Sequence, residues 1–163
     1  KSQRVDMLPK TILEYLTYLN SAYFVRRIRP MDIQGKKQFQ IGEKYYFEDL
    51  GIRNAIRPFR ATDIGQVLEN VVCHHLLVCG YALYIGRDGD KEVDFVAERN
   101  GEKLYVQVAY SVIDPKTHER EFGNLLAIQD NYPKIVVTMD EVEGVSYQGI
   151  EQVPVRKFLL RWK

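Results

Sequence analysis

A chain of 163 residues that is 45% hydrophobic and 28% charged is long enough to bury a core and too apolar to be disordered as its main state. Its formal net charge of +1 excludes a uniformly basic nucleic-acid binder, although residues 1–60 are basic on balance and residues 61–163 acidic. No run approaches the roughly 18 apolar residues of a membrane span and no secretory pattern is present, so the expected address is cytoplasmic, with no membrane partner.

The chain opens at Lys1 without a methionine, already near a helical pattern, and reads as a piece of something longer. In the first module, residues 1–60, Ile12, Tyr15, Leu16 and Leu19 recur at helical spacing and commit one helix face to packing. Ala22–Arg29 reads as a strand, the residues around Gly35 as a turn and Lys36–Ile41 as the returning strand, the order of the last helix and wing of a winged-helix domain. Lys44–Leu50 reads as a further strand and Gly51–Ile56 as a short helix. Arg26, Arg27, Arg29, Lys36 and Lys37 fall on this wing and are the candidate nucleic-acid contacts, with Arg53, Arg57 and Arg60 extending the basic stretch. The competing reading is a solvated hairpin whose charges guard a sheet edge against aggregation.

The second module, residues 61–163, starts with a helix marked by Asp63 and Gln66 at capping-box spacing and ended by Gly80. Ile64, Val67, Leu68, Val71, Val72, His75 and Leu76 form its apolar face. Three strands follow, Tyr81–Gly86, Glu92–Arg99 and Lys103–Ser111, then a helix over 117–129, a strand at Lys134–Met139 and a helix over 155–162. The order is α-β-β-β-α-β-α. Cys73 and Cys79 lie six apart in one helix on different sides, which disfavours a disulfide. Cys73, His74, His75, Cys79 and His118 lack the paired spacing of a four-ligand zinc site, and no Gly-Lys-Ser/Thr follows the glycines at 86 and 89, so ATP is not bound by this segment.

Asn100-Gly101 is a strong hairpin signal, and a two-residue turn there sets Arg99 opposite Glu102 and Asp94 opposite Gln107. Glu92, Asp94 and Gln107 then gather on one face, with Val93, Phe95 and Ala97 on the other. Two carboxylates and an amide oxygen suit a hard cation such as Mg²⁺ or Mn²⁺, which activates water and neutralises phosphate charge in phosphodiester cleavage. The bland alternative is the wet side of a half-exposed hairpin.

Gly65-Gln66-Val67-Leu68-Glu69-Asn70, Lys91-Glu92-Val93-Asp94-Phe95-Val96, Tyr105-Val106-Gln107-Val108-Ala109 and Asp130-Asn131-Tyr132-Pro133-Lys134 together resemble the C-terminal domain of unknown function of a broad prokaryotic family of AAA-type ATPases. Lys44-Tyr45-Tyr46-Phe47-Glu48-Asp49-Leu50-Gly51-Ile52-Arg53 resembles the same family's linker region. The resemblance implies an α/β (α+β) fold, a PD-(D/E)XK restriction-endonuclease-like core behind a winged-helix remnant, with an upstream ATPase domain as partner and as the only source of ATP binding. Carried over by position, Glu69 is the helical acid and Asp94 and Gln107 are the further metal and catalytic residues of a degenerate site. Ala109 stands where the motif has its lysine, and a methyl group cannot move a proton. The leading expectation is therefore a non-catalytic regulatory module that engages DNA. The alternatives are a Mg²⁺-dependent endonuclease with a relocated lysine, Lys91 or Lys103 being nearest in sequence, and a protein-interaction module that uses the acidic half.

Overall fold

The computed structural model describes residues 8–35, 42–142 and 144–161. In chain order it contains α1 (Pro9–Ser21), β1 (Val25–Asp32), β2 (Lys44–Phe47), α2 (Leu50–Ile56), a 3₁₀ turn (Ala61–Asp63), α3 (Ile64–Val78), β3 (Ala82–Asp88), β4 (Lys91–Arg99), β5 (Glu102–Ala109), α4 (Pro115–Leu126), β6 (Lys134–Thr138), β7 (Ser146–Tyr147), β8 (Ile150–Pro154) and α5 (Val155–Arg161). The strands form one mixed sheet in the order β2-β1-β3-β4-β5-β6-β8-β7, so the architecture is mixed α/β. No helix among the described residues is long and apolar enough to cross a membrane.

The β4–β5 hairpin closes as its turn chemistry dictates. Asn100 and Gly101 both have positive φ, 55° and 82°, the conformation of a type I′ turn, and Arg99 pairs with Glu102, Ala97 with Leu104 and Phe95 with Val106. On its other side β4 slips by one residue against β3, between the pairs Tyr84–Val96 and Gly86–Val93. Asp94 and Phe95 thus oppose the single residue Ile85, a bulge that resets the alternation of side chains. Val93 joins Val96 in one hydrophobic cluster while Phe95 and Ala97 enter the other, which corrects the expectation that Val93 and Phe95 share a face. Gly86 answers the same bulge: a Cβ there would lie 2.9 Å from Ile33 Cδ1 and 3.0 Å from both Val93 Cβ and Val96 Cγ2.

The hairpin is dry on both faces, which corrects the half-exposed reading. On one side Leu68, Val72 and Leu76 of α3 and Phe158 of α5 cover Phe95, Val106 and Val137. On the other, Phe122 and Leu125 of α4 cover Val96, Tyr105 and Val136.

Four further expectations change. Within the described residues the antiparallel neighbour of β1 is β2, and its other edge runs parallel to β3, so the basic strand belongs to the main sheet; Lys36–Ile41, with Lys36 and Lys37, lies outside the described residues. Strands β7 and β8 were not legible because β7 has two residues and β8 mixes buried Gln152 with Ile150 and Val153; the Gln152 amide is satisfied by Thr138 Oγ1 at 3.2 Å. Asp63 makes no cap bond to α3; its buried carboxylate lies 3.3 Å from Arg53 and 3.7 Å from Arg57 instead. The packing face expected of α1 is covered only in part: none of its residues is buried, and of that face only Leu16 is half-buried.

Candidate functional site

β2 is stitched along α3 by one side chain. The Asn70 amide accepts from Phe47 N–H and donates to Phe47 carbonyl oxygen, both at 2.9 Å, satisfying in a single residue the backbone of a short edge strand. His74 Nε2 adds a contact to the same carbonyl at 2.7 Å. Because side chains alternate along a strand, holding Phe47 against Asn70 turns Tyr46 and Lys44 of β2 toward the N-terminal half of α3. Glu69, next to Asn70, is there to meet them: the Tyr46 hydroxyl donates to Glu69 Oε1 at 2.5 Å and Lys44 Nζ donates to the same oxygen at 2.8 Å.

Lys44 Nζ is also 2.8 Å from Glu92 Oε1 and 3.1 Å from Asp94 Oδ1. One ammonium therefore sits among three carboxylates, two from β4 and one from α3, and Arg87 closes the outer side of Glu92 at 2.6 Å. The bulge is what makes this possible, since it delivers Asp94 to the side on which α3 and β2 meet. Burial, and then the charge of Glu69, push the Asp94 carboxyl up to about 7, against the opposing pull of Lys44. Burial draws the Lys44 ammonium down, but Asp94 and Glu69 outweigh it and hold the amine well above its usual range. Burial and Glu69 likewise keep the Tyr46 phenol protonated.

At the same height the two strands of the hairpin part, and side chains replace the missing ladder bonds. Gln107 Oε1 accepts from the Asp94 backbone N–H at 3.2 Å, and Asp94 Oδ2 accepts from Val108 N–H at 2.9 Å. The Gln107 amide donates to Glu121 Oε2 of α4 at 2.6 Å, and Glu121 Oε1 accepts from Arg120 Nε at 2.9 Å. A cavity of about 550 Å³ opens here, its wall including Glu69, Glu92, Asp94, Gln107, Arg120 and Glu121.

The structure thus brings Glu69, Asp94 and Gln107 to one cavity, but with Gln107 turned toward α4 and its oxygen engaged by a backbone amide. A divalent cation does not fit this arrangement. Mg²⁺ draws oxygens to about 2.0–2.1 Å, whereas the three carboxylates stand at 2.8–3.1 Å around Lys44, ordinary hydrogen-bond lengths to an ammonium. Asp94 Oδ2 and Gln107 Oε1 already accept backbone hydrogens. Among the described residues no group of three or more His, Cys, Asp or Glu is arranged to hold a metal.

Lys44, Tyr46, Glu121 and Arg120 were missed by sequence reasoning. Lys44 lies 50 positions from Asp94, and nothing local marks it. Lys103, one of the two lysines considered for migration, is instead paired with Glu98 at 3.2 Å, and Lys91 begins β4. The basic candidates on β1 have acidic partners: Arg26 meets Glu48 at 2.8 Å, and Arg27 and Arg29 approach Glu43 at 3.8 and 3.9 Å. Arg53 is buried against Asp63 and offers no phosphate contact. Cys73 and Cys79 are thiols, Cys73 in the core.

Residues 64–158 match the family described as a domain of unknown function (DUF4143). A protein of Haemophilus influenzae, described as uncharacterized, is 37% identical over 160 residues, covering 98% of this chain. The chain spans 39% of that relative's length. The chain belongs to the DUF4143 family.

Proposed function

We propose that this chain is a non-catalytic, nuclease-like regulatory domain of a larger AAA-type ATPase, and that it engages DNA for that ATPase rather than cutting it. The observation that carries the reading is Ala109. It occupies the position at which the PD-(D/E)XK motif places its lysine, it is only 7% exposed, and it packs in the α4-side cluster with Tyr105 and Phe122. A buried methyl among apolar groups neither orients nor deprotonates a water. The arrangement of an acid on a helix, Glu69, an acid on a bulged strand, Asp94, and an amide on its hairpin partner, Gln107, supports the nuclease-like part of the reading. The greater length of the relative supports a domain within a larger protein. DNA contact would run through exposed guanidinium groups such as Arg29, 66% exposed and only loosely paired, so affinity should fall steeply with salt.

Lys44 favours a second reading, a Mg²⁺-dependent endonuclease whose lysine has moved to β2, because its amine reaches Glu69 and Asp94 directly. Incubation of supercoiled plasmid with Mg²⁺ or Mn²⁺ separates the two. The wild type should nick no faster than Asp94→Ala; metal-dependent nicking that disappears in Asp94→Ala and in Lys44→Ala would establish the endonuclease. A gel shift with duplex DNA that is absent even at low salt would remove the DNA-engaging part of the proposal.

A further inference from the structure

Lys44 is the group bound to the acids of the cavity wall that neither the motif nor the fold accounts for, and its surroundings are specific. Three carboxylates from two separate elements converge on one amine, and the amine's own strand is clamped by the paired bonds of Asn70 to Phe47. We infer that Lys44 is a tethered replacement for the divalent cation of a nuclease-type site: its ammonium fills the cation position, so the folded chain takes up no Mg²⁺ or Mn²⁺ between Glu69 and Asp94. The inference rests on the non-catalytic reading above and gives it a cause.

Three physical points support it. An ammonium donates three hydrogens, and Lys44 has three acceptors, one on each of Glu69, Glu92 and Asp94. A cation fixed to the chain needs no translational entropy to bind, so at its position it outcompetes a free ion of modest affinity. Two neighbouring oxygens that could add to a metal's shell are spent on the backbone, Gln107 Oε1 on Asp94 N–H and Asp94 Oδ2 on Val108 N–H, which leaves the oxygens around the amine as the available ligands. The single positive charge of Lys44, joined by that of Arg87 on Glu92, holds the acids together without polarising a water as a divalent ion does.

The same geometry makes the site recoverable. Removing the amine leaves three carboxylates that repel one another around a space lined with oxygen, the ligand chemistry of a hard cation. The test is Mn²⁺ binding followed by electron paramagnetic resonance on wild type, Lys44→Met and the Lys44→Met/Asp94→Asn double variant, with circular dichroism to establish folding. Wild type should leave the added Mn²⁺ free, Lys44→Met should take up one equivalent, and the double variant should lose it. Uptake by wild type that Asp94→Asn abolishes, or a folded Lys44→Met that binds no Mn²⁺, would overturn the inference. If Lys44→Met does not fold, the wild type decides through its ¹⁵N-labelled lysine ammonium signals. Insensitivity of the Lys44 signal to millimolar Mg²⁺ supports the inference, and its displacement overturns it. Metal uptake by wild type without plasmid nicking would sink this inference and leave the non-catalytic reading standing, whereas nicking would sink that reading.

Discussion

Helices α1 and α3 both repeat apolar residues at helical spacing, yet Val72, Cys73 and Leu76 of α3 are fully buried while Ile12, Leu13, Tyr15 and Tyr18 of α1 are 46–65% exposed. Helix α3 lies across the middle of the sheet, where β4, β5 and β6 each offer inward side chains. Helix α1 lies against β1, near the end of the sheet where β2 is the last strand, and meets no second layer among the described residues. Periodicity states which face of a helix wants to be dry; the geometry of the neighbours decides whether anything dries it.

The comparison can be broken most sharply at Leu76. Truncating it to alanine should cost about 2–5 kcal/mol, the range for removing a buried leucine side chain from a close-packed core, measured as a fall in the urea midpoint at unchanged slope. A loss under half a kilocalorie, on the scale of roughly 0.5 kcal/mol typical of surface changes, would mean that α3 is not the keystone described. Asn70→Ala comes next. It leaves Phe47 N–H without its side-chain partner and the Phe47 carbonyl with His74 alone, and about 1–3 kcal/mol should be lost. The same substitution should loosen β2, seen as faster amide exchange at Tyr46 and Phe47 than elsewhere in the sheet; uniform exchange would contradict the clamp. Leu13→Ser and Tyr18→Ser in α1 should be the mildest, each within about 0.5 kcal/mol of wild type in the isolated chain. A larger loss would show that α1 is packed after all.

The site was partly readable, and the division follows the range of the forces involved. Asp94 and Gln107 were singled out because the turn at Asn100-Gly101 numbers its own hairpin, and Glu69 because the resemblance to a nuclease-like motif implies an acid on the preceding helix. Their partners were not, since Lys44 and Tyr46 meet Glu69 only after an asparagine 23 positions from Phe47 has fastened one element to another. The direction in which Gln107 points was likewise hidden, because it depends on Glu121, 14 residues farther along the chain.

By itself the sequence determined the tight turn, the register that runs from it, the apolar stripe of α3 and the absence of a lysine at position 109. Each of these is settled by a few consecutive residues whose backbone preferences or side-chain chemistry act locally. Only the tertiary structure decided that β4 bulges at Asp94, that β8 inserts between β6 and β7, that α1 buries none of its residues and that an ammonium from β2 stands among the acids. Those outcomes depend on contacts between elements far apart along the chain, where packing and charge compensation outweigh any preference written in a short stretch of residues.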